Sequence, residues 1–113
     1  LYEQALADAG LECHLPLPAE RALVMRGIYD GVKAGDLRLA EASFSEVALA
    51  LSRRHGDVAI VMGCTEVPLG LQGSAATRGL KLVDPARVLA RALASRAYAG
   101  SSPHGMSGFA GIA

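Results

Sequence analysis

Residues 58–62 read Val-Ala-Ile-Val-Met and stop at Gly63. A short, β-branched apolar run bounded by glycine reads as a strand buried on both faces of a parallel sheet. Such a strand needs helices on either side to cover it, which makes the chain an α/β protein. Open α/β folds bind ligands in the crevice beyond the carboxyl ends of their strands. The three residues after Gly63 are Cys64, Thr65 and Glu66, a thiol, a hydroxyl and a carboxylate. Cys64 is therefore a candidate catalytic thiol at the end of a rigid element.

The rest of the sequence alternates between helix and strand periods. Leu1–Ala9 has an apolar helical face of Leu1, Ala5, Leu6 and Ala9, ended by Gly10. Residues 11–15 alternate as a short strand would, closed by Pro16 and Pro18. Residues 19–34 read as a helix through Leu23, Val24, Gly27, Ile28 and Val32, stopping at Gly35. Asp36 is placed to cap a helix running to about His55, with Leu37, Ala40, Phe44, Val47, Ala48 and Leu51 inward. After the central strand (57–62), residues 63–71 form a turn with one helical turn behind it, and residues 80–83 a brief strand. Asp84-Pro85 then opens a last helix to about Tyr98, because proline lacks only a donor that the first helical position leaves orphaned. Its expected buried stripe is Val88, Leu89, Ala92 and Leu93. The expected architecture is a three-layer α/β domain over residues 1–99, with a short parallel sheet flanked by helices. Residues 100–113 are Gly/Ser-rich and aperiodic, and read as a flexible tail.

Bulk properties narrow the function classes. A chain of 113 residues fits one domain, and 51% hydrophobic with 19% charged residues marks it as globular. Eleven basic residues balance eleven acidic ones, and aromatics are 4%. Neither a basic field nor stacking platforms point to nucleic acid or an anionic membrane. No apolar run approaches the roughly 18 residues of a membrane span, and two cysteines are too few for a disulfide framework. A reduced, cytosolic setting is expected. The helical pattern already running at Leu1 suggests a cut through a helix of a longer protein.

Gly63-Cys64-Thr65-Glu66, followed by Pro68-Leu69, resembles the second cysteine motif of the aspartate/glutamate (Asp/Glu/hydantoin) racemase superfamily, in its aspartate racemase branch. Ile28-Tyr29-Asp30-Gly31-Val32-Lys33-Ala34-Gly35 is similar to that branch's Ile-Tyr-x-x-Val-Lys-x-Gly segment, and Leu82-Val83-Asp84-Pro85 to its strand-to-helix step. The likeness covers residues 1–99 and corresponds to the C-terminal half of a family member. It implies a cofactor-independent amino-acid racemase, acting on aspartate or glutamate, homodimeric in its full-length form. It also implies that Lys33 and Thr65 hold the substrate carboxylate, with Glu66 orienting the thiol's surroundings or meeting the ammonium.

Racemisation moves a weakly acidic proton off Cα and returns one to the opposite face, most directly with two flanking acid/base groups. A thiol suits this because its pKa of about 8.5 falls at a helix N-terminus, so backbone N–H groups beyond the strand are expected to favour the Cys64 thiolate. Family members carry the other thiol in an N-terminal Cys-Asn-Thr type motif, and nothing here matches it. The chain alone is therefore expected to be inactive. Two further readings stay open: a single-cysteine decarboxylase-like relative, or an inactive half-domain that only self-associates. The plain structural roles are an inert core cysteine, a solvated Lys33 at a helix end, and Thr65 and Glu66 as an N-cap and a first-turn acid. Cys13 and His14 are adjacent on the expected strand and point to opposite faces, so they cannot easily share one ion. Neither a metal site nor a pyridoxal site is expected.

Overall fold

A computed structural model describes residues 2–98. The expected tail at 100–113 and the domain end at Ala99 lie outside the described residues. The chain divides into two compact units, one joining residues up to Cys13 with those from Val83, the other spanning His14–Leu82.

The His14–Leu82 unit is built around one helix. Asp36 caps it as expected, its Oδ1 accepting from the Leu39 N–H at 3.1 Å, and α3 runs Leu37–His55. Ala40, Phe44, Val47, Ala48 and Leu51 are all buried along it, at the spacing of one helical face. Leu37, read as the start of that stripe, is exposed because it belongs to the first turn, beyond the reach of the packed elements. Against α3 lie α2 (Pro18–Arg26) and α4 (Val67–Leu71). The strands β1 (Ala59–Val61) and β2 (Lys81–Val83) pair in a two-stranded parallel sheet flanked by helices, as the α/β expectation required, but β1 is not buried on both faces: Ala59 is exposed and Ile60 and Val61 are half-buried. Residues 11–15 are exposed and form no strand. Alternation alone does not make a ladder, and the segment's His14 ring instead stacks on His55 at 3.8 Å.

The helix expected over 19–34 is broken in character. From Gly27 to Val32 the backbone widens into a π-helical turn, with the Lys33 N–H donating to the Ile28 carbonyl at 2.9 Å and the Asp36 N–H to that of Gly31 at 2.8 Å. Each of these bonds spans five residues instead of four, a feature frequent at functional sites. Close approach to α3 is permitted by glycine. A Cβ on Gly31 would lie 2.8 Å from the Ala40 backbone nitrogen and 2.9 Å from its Cα, where no side-chain rotation relieves it. Gly31→Ala is therefore expected to cost about 1–3 kcal/mol, read as a lower urea midpoint at unchanged slope.

Two polar clasps fasten the loops. The Ser74 hydroxyl spends its one proton on Glu41 at 2.9 Å, so Ser45 must donate to Ser74 across 3.3 Å. Both serines are buried, and the pair holds the segment after α4 onto α3. At the other end Arg54 grips both carboxylate oxygens of Glu20, at 2.7 and 3.0 Å. Glu20 also accepts from the Leu17 N–H at 2.8 Å, tying the first turn of α2. The Arg54 hydrogen bonds lead in pulling the Glu20 carboxyl down to about 2. A depressed carboxyl contributes stability that is complete above the unfolded pKa of about 4.3 and lost as pH falls through the folded value. The melting-temperature gap between the wild type and Glu20→Gln should accordingly be widest above about pH 5 and close toward pH 2.

In the other unit, α1 (Tyr2–Asp8) has no buried residue. Asp84 caps α5 (Pro85–Ala97), accepting from the Ala86 N–H at 3.0 Å. The stripe expected on α5 divides: Val88 and Ala92 are half-buried, but Leu89 and Leu93 are each 60% exposed. The half-buried positions are 85, 88, 92 and 95, about 100° around the axis from the two leucines.

Candidate active site

Leaving β1, the chain turns at Gly63 and sets Cys64, Thr65 and Glu66 in sequence before α4. The Cys64 thiol donates to Glu66 Oε2 across 2.7 Å, and the Thr65 hydroxyl donates to the same oxygen at 3.1 Å. Glu66 stands at the cap of α4, yet its side chain makes no capping bond. Its carboxylate is committed to the thiol and the hydroxyl, so the capping roles that sequence suggests for Thr65 and Glu66 do not describe what their side chains do.

Lys33 comes to the same place from the π-turn. Its Nζ lies 4.0 Å from Glu66 Oε1, the carboxylate oxygen that neither Cys64 nor Thr65 uses. The ammonium also sits 4.9 Å above the centroid of the Tyr29 ring, one helical turn back. Tyr29 is the neighbour that sequence reading passed over. Its signal was its place four residues before Lys33 on one helical face. All four expected site residues thus meet around one carboxylate.

The electrostatics reverse one expectation. The hydrogen bond to Glu66 is the largest cause raising the Cys64 thiol above its ordinary value, and burial adds to it. The backbone N–H groups of Glu66 and Thr65 pull the other way, as anticipated, but they are outweighed. A carboxylate that accepts the thiol proton stabilises the neutral thiol and repels the thiolate. Glu66 is correspondingly held below the usual carboxylate range, first by the thiol and least by Lys33. Near neutrality the pair is therefore a thiol beside a carboxylate. Glu66→Gln removes the charge and replaces the anionic acceptor with a neutral amide, so the pH midpoint for alkylation of Cys64 by iodoacetamide should move down. Cys13 is exposed, so the titration is best run in a Cys13→Ser background.

Cys64 also stands on the wall of a cavity of about 260 Å³. Val24, Ala48, Leu51, Ile60 and Met62 form much of the remaining wall, and Cys64 is its one titratable side chain. Among the described residues, no group of three or more His, Cys, Asp or Glu side chains converges as a metal site would require. No helix among them is long and apolar enough to cross a membrane.

Comparison with known proteins decides the family. The family model described as Asp/Glu/Hydantoin racemase matches residues 1–93. The chain belongs to the Asp/Glu/hydantoin racemase family. The match takes in both the Lys33 and the Cys64 segments. This family member is also 33% identical over 84 residues to a Pectobacterium carotovorum subsp. carotovorum protein named "Uncharacterized protein in pnlA 3'region". The alignment takes in 74% of this chain and 55% of that relative, so the chain spans about half the relative's length.

Proposed function

We propose that this chain carries one face of a cofactor-independent amino-acid racemase site, with Cys64 as its acid/base group. The observation that carries the reading is the thiol-to-carboxylate hydrogen bond, with Lys33 on the far side of that carboxylate. In one direction a base on the opposite face removes the Cα proton, and the Cys64 thiol gives its own proton to Cα. The resulting thiolate, beside Glu66, is then reprotonated from solvent. In the other direction the Cys64 thiol first gives its proton to solvent, the thiolate takes the Cα proton, and the opposite group, protonated, returns one. Lys33 and Thr65 hold the substrate carboxylate, where fixed donors stabilise the carbanion-like transition state. Glu66 sets the thiol's protonation and offers a negative partner to the substrate ammonium.

On this reading residues 1–99 are the C-terminal half of a two-domain protein, and residues 100–113 are an appended tail. The partner thiol comes from an N-terminal half, and the full-length protein is a homodimer. The likeness of Gly63–Glu66 to the aspartate racemase branch makes aspartate and glutamate the first substrates to assay. Deuterium uptake at the substrate Cα in D₂O should require both the N-terminal half and Cys64. Uptake that survives Cys64→Ser in the full-length protein would remove the basis of the proposal.

A second reading draws on the same protonated thiol. A thiol held neutral suits delivery of one proton to one face of an enolate, as in a single-cysteine decarboxylase. Release of CO₂ from a 2-substituted malonate by this chain, without Cα exchange on amino acids, would select it.

A further inference from the structure

The cavity behind Cys64 differs in chemistry from the charged side of the site. Its wall is drawn from α2, α3, α4 and the β1 strand with its following turn, and is apolar throughout except for the thiol. Val24, Ile60 and Val67 are only half-buried and Gly63 is exposed, and the wall reaches the turn before α4 at Gly63 and Cys64. At about 260 Å³ it falls below the roughly 300–1,000 Å³ of pockets that enclose a whole small molecule. It is the size for a side chain.

Resting on the proposed acid/base role of Cys64, we infer that the site takes a 2-amino acid with an apolar side chain, and that the cavity is its side-chain pocket. The charges outside the cavity suit the other end of such a molecule. Lys33 is a cation for the carboxylate, Glu66 an anion for the ammonium, and they lie 4.0 Å apart. A zwitterionic head at that pair puts Cα near the Cys64 sulfur and sends the side chain toward Ile60, Met62 and Val24. Aspartate or glutamate placed the same way would carry a second carboxylate into walls that offer it no donor but the thiol. An ionised group buried without partners is strongly disfavoured, whereas each methylene in a fitted apolar pocket contributes roughly 10–200-fold in selectivity.

Protection of Cys64 against iodoacetamide measures this on the 113-residue chain. Peptide mass separates the Cys64 adduct from that of Cys13. Leucine and phenylalanine are expected to protect Cys64 at concentrations at least about 10-fold below aspartate. Val24→Arg places a cation in the cavity and should reverse that order. Val67→Arg does so from the rim, and serves if the first variant loses its helical circular dichroism. Equal or better protection by aspartate overturns the apolar pocket but leaves the acid/base site standing, provided Glu66→Gln still lowers the alkylation midpoint. Failure of every amino acid to protect, together with no Cα exchange in the full-length protein, overturns both.

Discussion

Cys64→Ser is expected to slow Cα proton exchange by the full-length protein by roughly 10²–10⁴-fold, the range of a positioned acid/base group. Serine is nearly isosteric, and its hydroxyl can still donate to Glu66, so the site geometry survives. What changes is acidity: a hydroxyl is a far weaker acid than a thiol, so it is poorly matched to proton transfer at Cα and does not persist as an anion near neutrality. The melting temperature should therefore stay close to that of the wild type while exchange falls. Cys64→Ala provides the contrast, because it leaves Glu66 with Thr65 and the distant Lys33 as its side-chain partners. A serine variant that lost stability and activity together would assign the thiol to packing, the inert role that its place in the apolar wall allows. Lys33→Met separates binding from chemistry. Loss of the proposed carboxylate anchor should raise KM if the contact is equal in ground and transition states, and lower kcat if it strengthens as charge develops.

Phe44→Ala carries the largest expected cost in stability, about 3–5 kcal/mol. Native domains hold only about 5–15 kcal/mol in all, so the variant should melt far below the wild type or fail to accumulate. The reason is the position of the ring. Built Cβ atoms on Gly27 and Gly70 would come within 2.6 and 2.9 Å of it, so the π-turn and α4 both close onto Phe44 with no side chain between. Truncation leaves a void bounded on the Gly27 and Gly70 sides by backbone, which collapses less readily than flexible side chains do. Gly70→Ala should be costly alone and less so in a Phe44→Leu background, a coupling that a double-mutant cycle in urea would measure. A Phe44→Ala loss below about 1 kcal/mol would show that the three elements are held together elsewhere.

Local signals with a steric or hydrogen-bonding basis were legible in the sequence. Asp36 and Asp84 were identifiable as caps because a short acceptor before an apolar stripe has one efficient use there. The 58–62 run was identifiable as the sheet strand because β-branched residues bounded by glycine have few alternatives. Cys64, Thr65 and Glu66 were identifiable as candidates from their place after the strand, and Lys33 only through the family resemblance. What could not be read were matters of partner and register. Residues 11–15 have the period of a strand but no ladder to join. Leu89 and Leu93 lie on the same broad apolar face as Val88 and Ala92, and only the packed structure tells which half turns inward. The direction of the Cys64 titration depended on a side chain two residues away, in a turn whose rotamers no periodicity specifies.

The wide turn at Gly27–Val32 governs where Lys33 points. An α-helix advances about 100° per residue, so the one extra residue accommodated there re-phases everything downstream. Were the segment regular, Lys33 would swing away from Glu66 by about that angle. The cation's bearing is thus set by a counting offset in the backbone as much as by its own identity. Deleting Tyr29, the turn's one exposed uncharged residue, would keep the formal charge and the buried residues while disconnecting Lys33 from the carboxylate. Such a deletion is a finer probe of the site than any substitution at Lys33 itself, because it moves the charge without removing it.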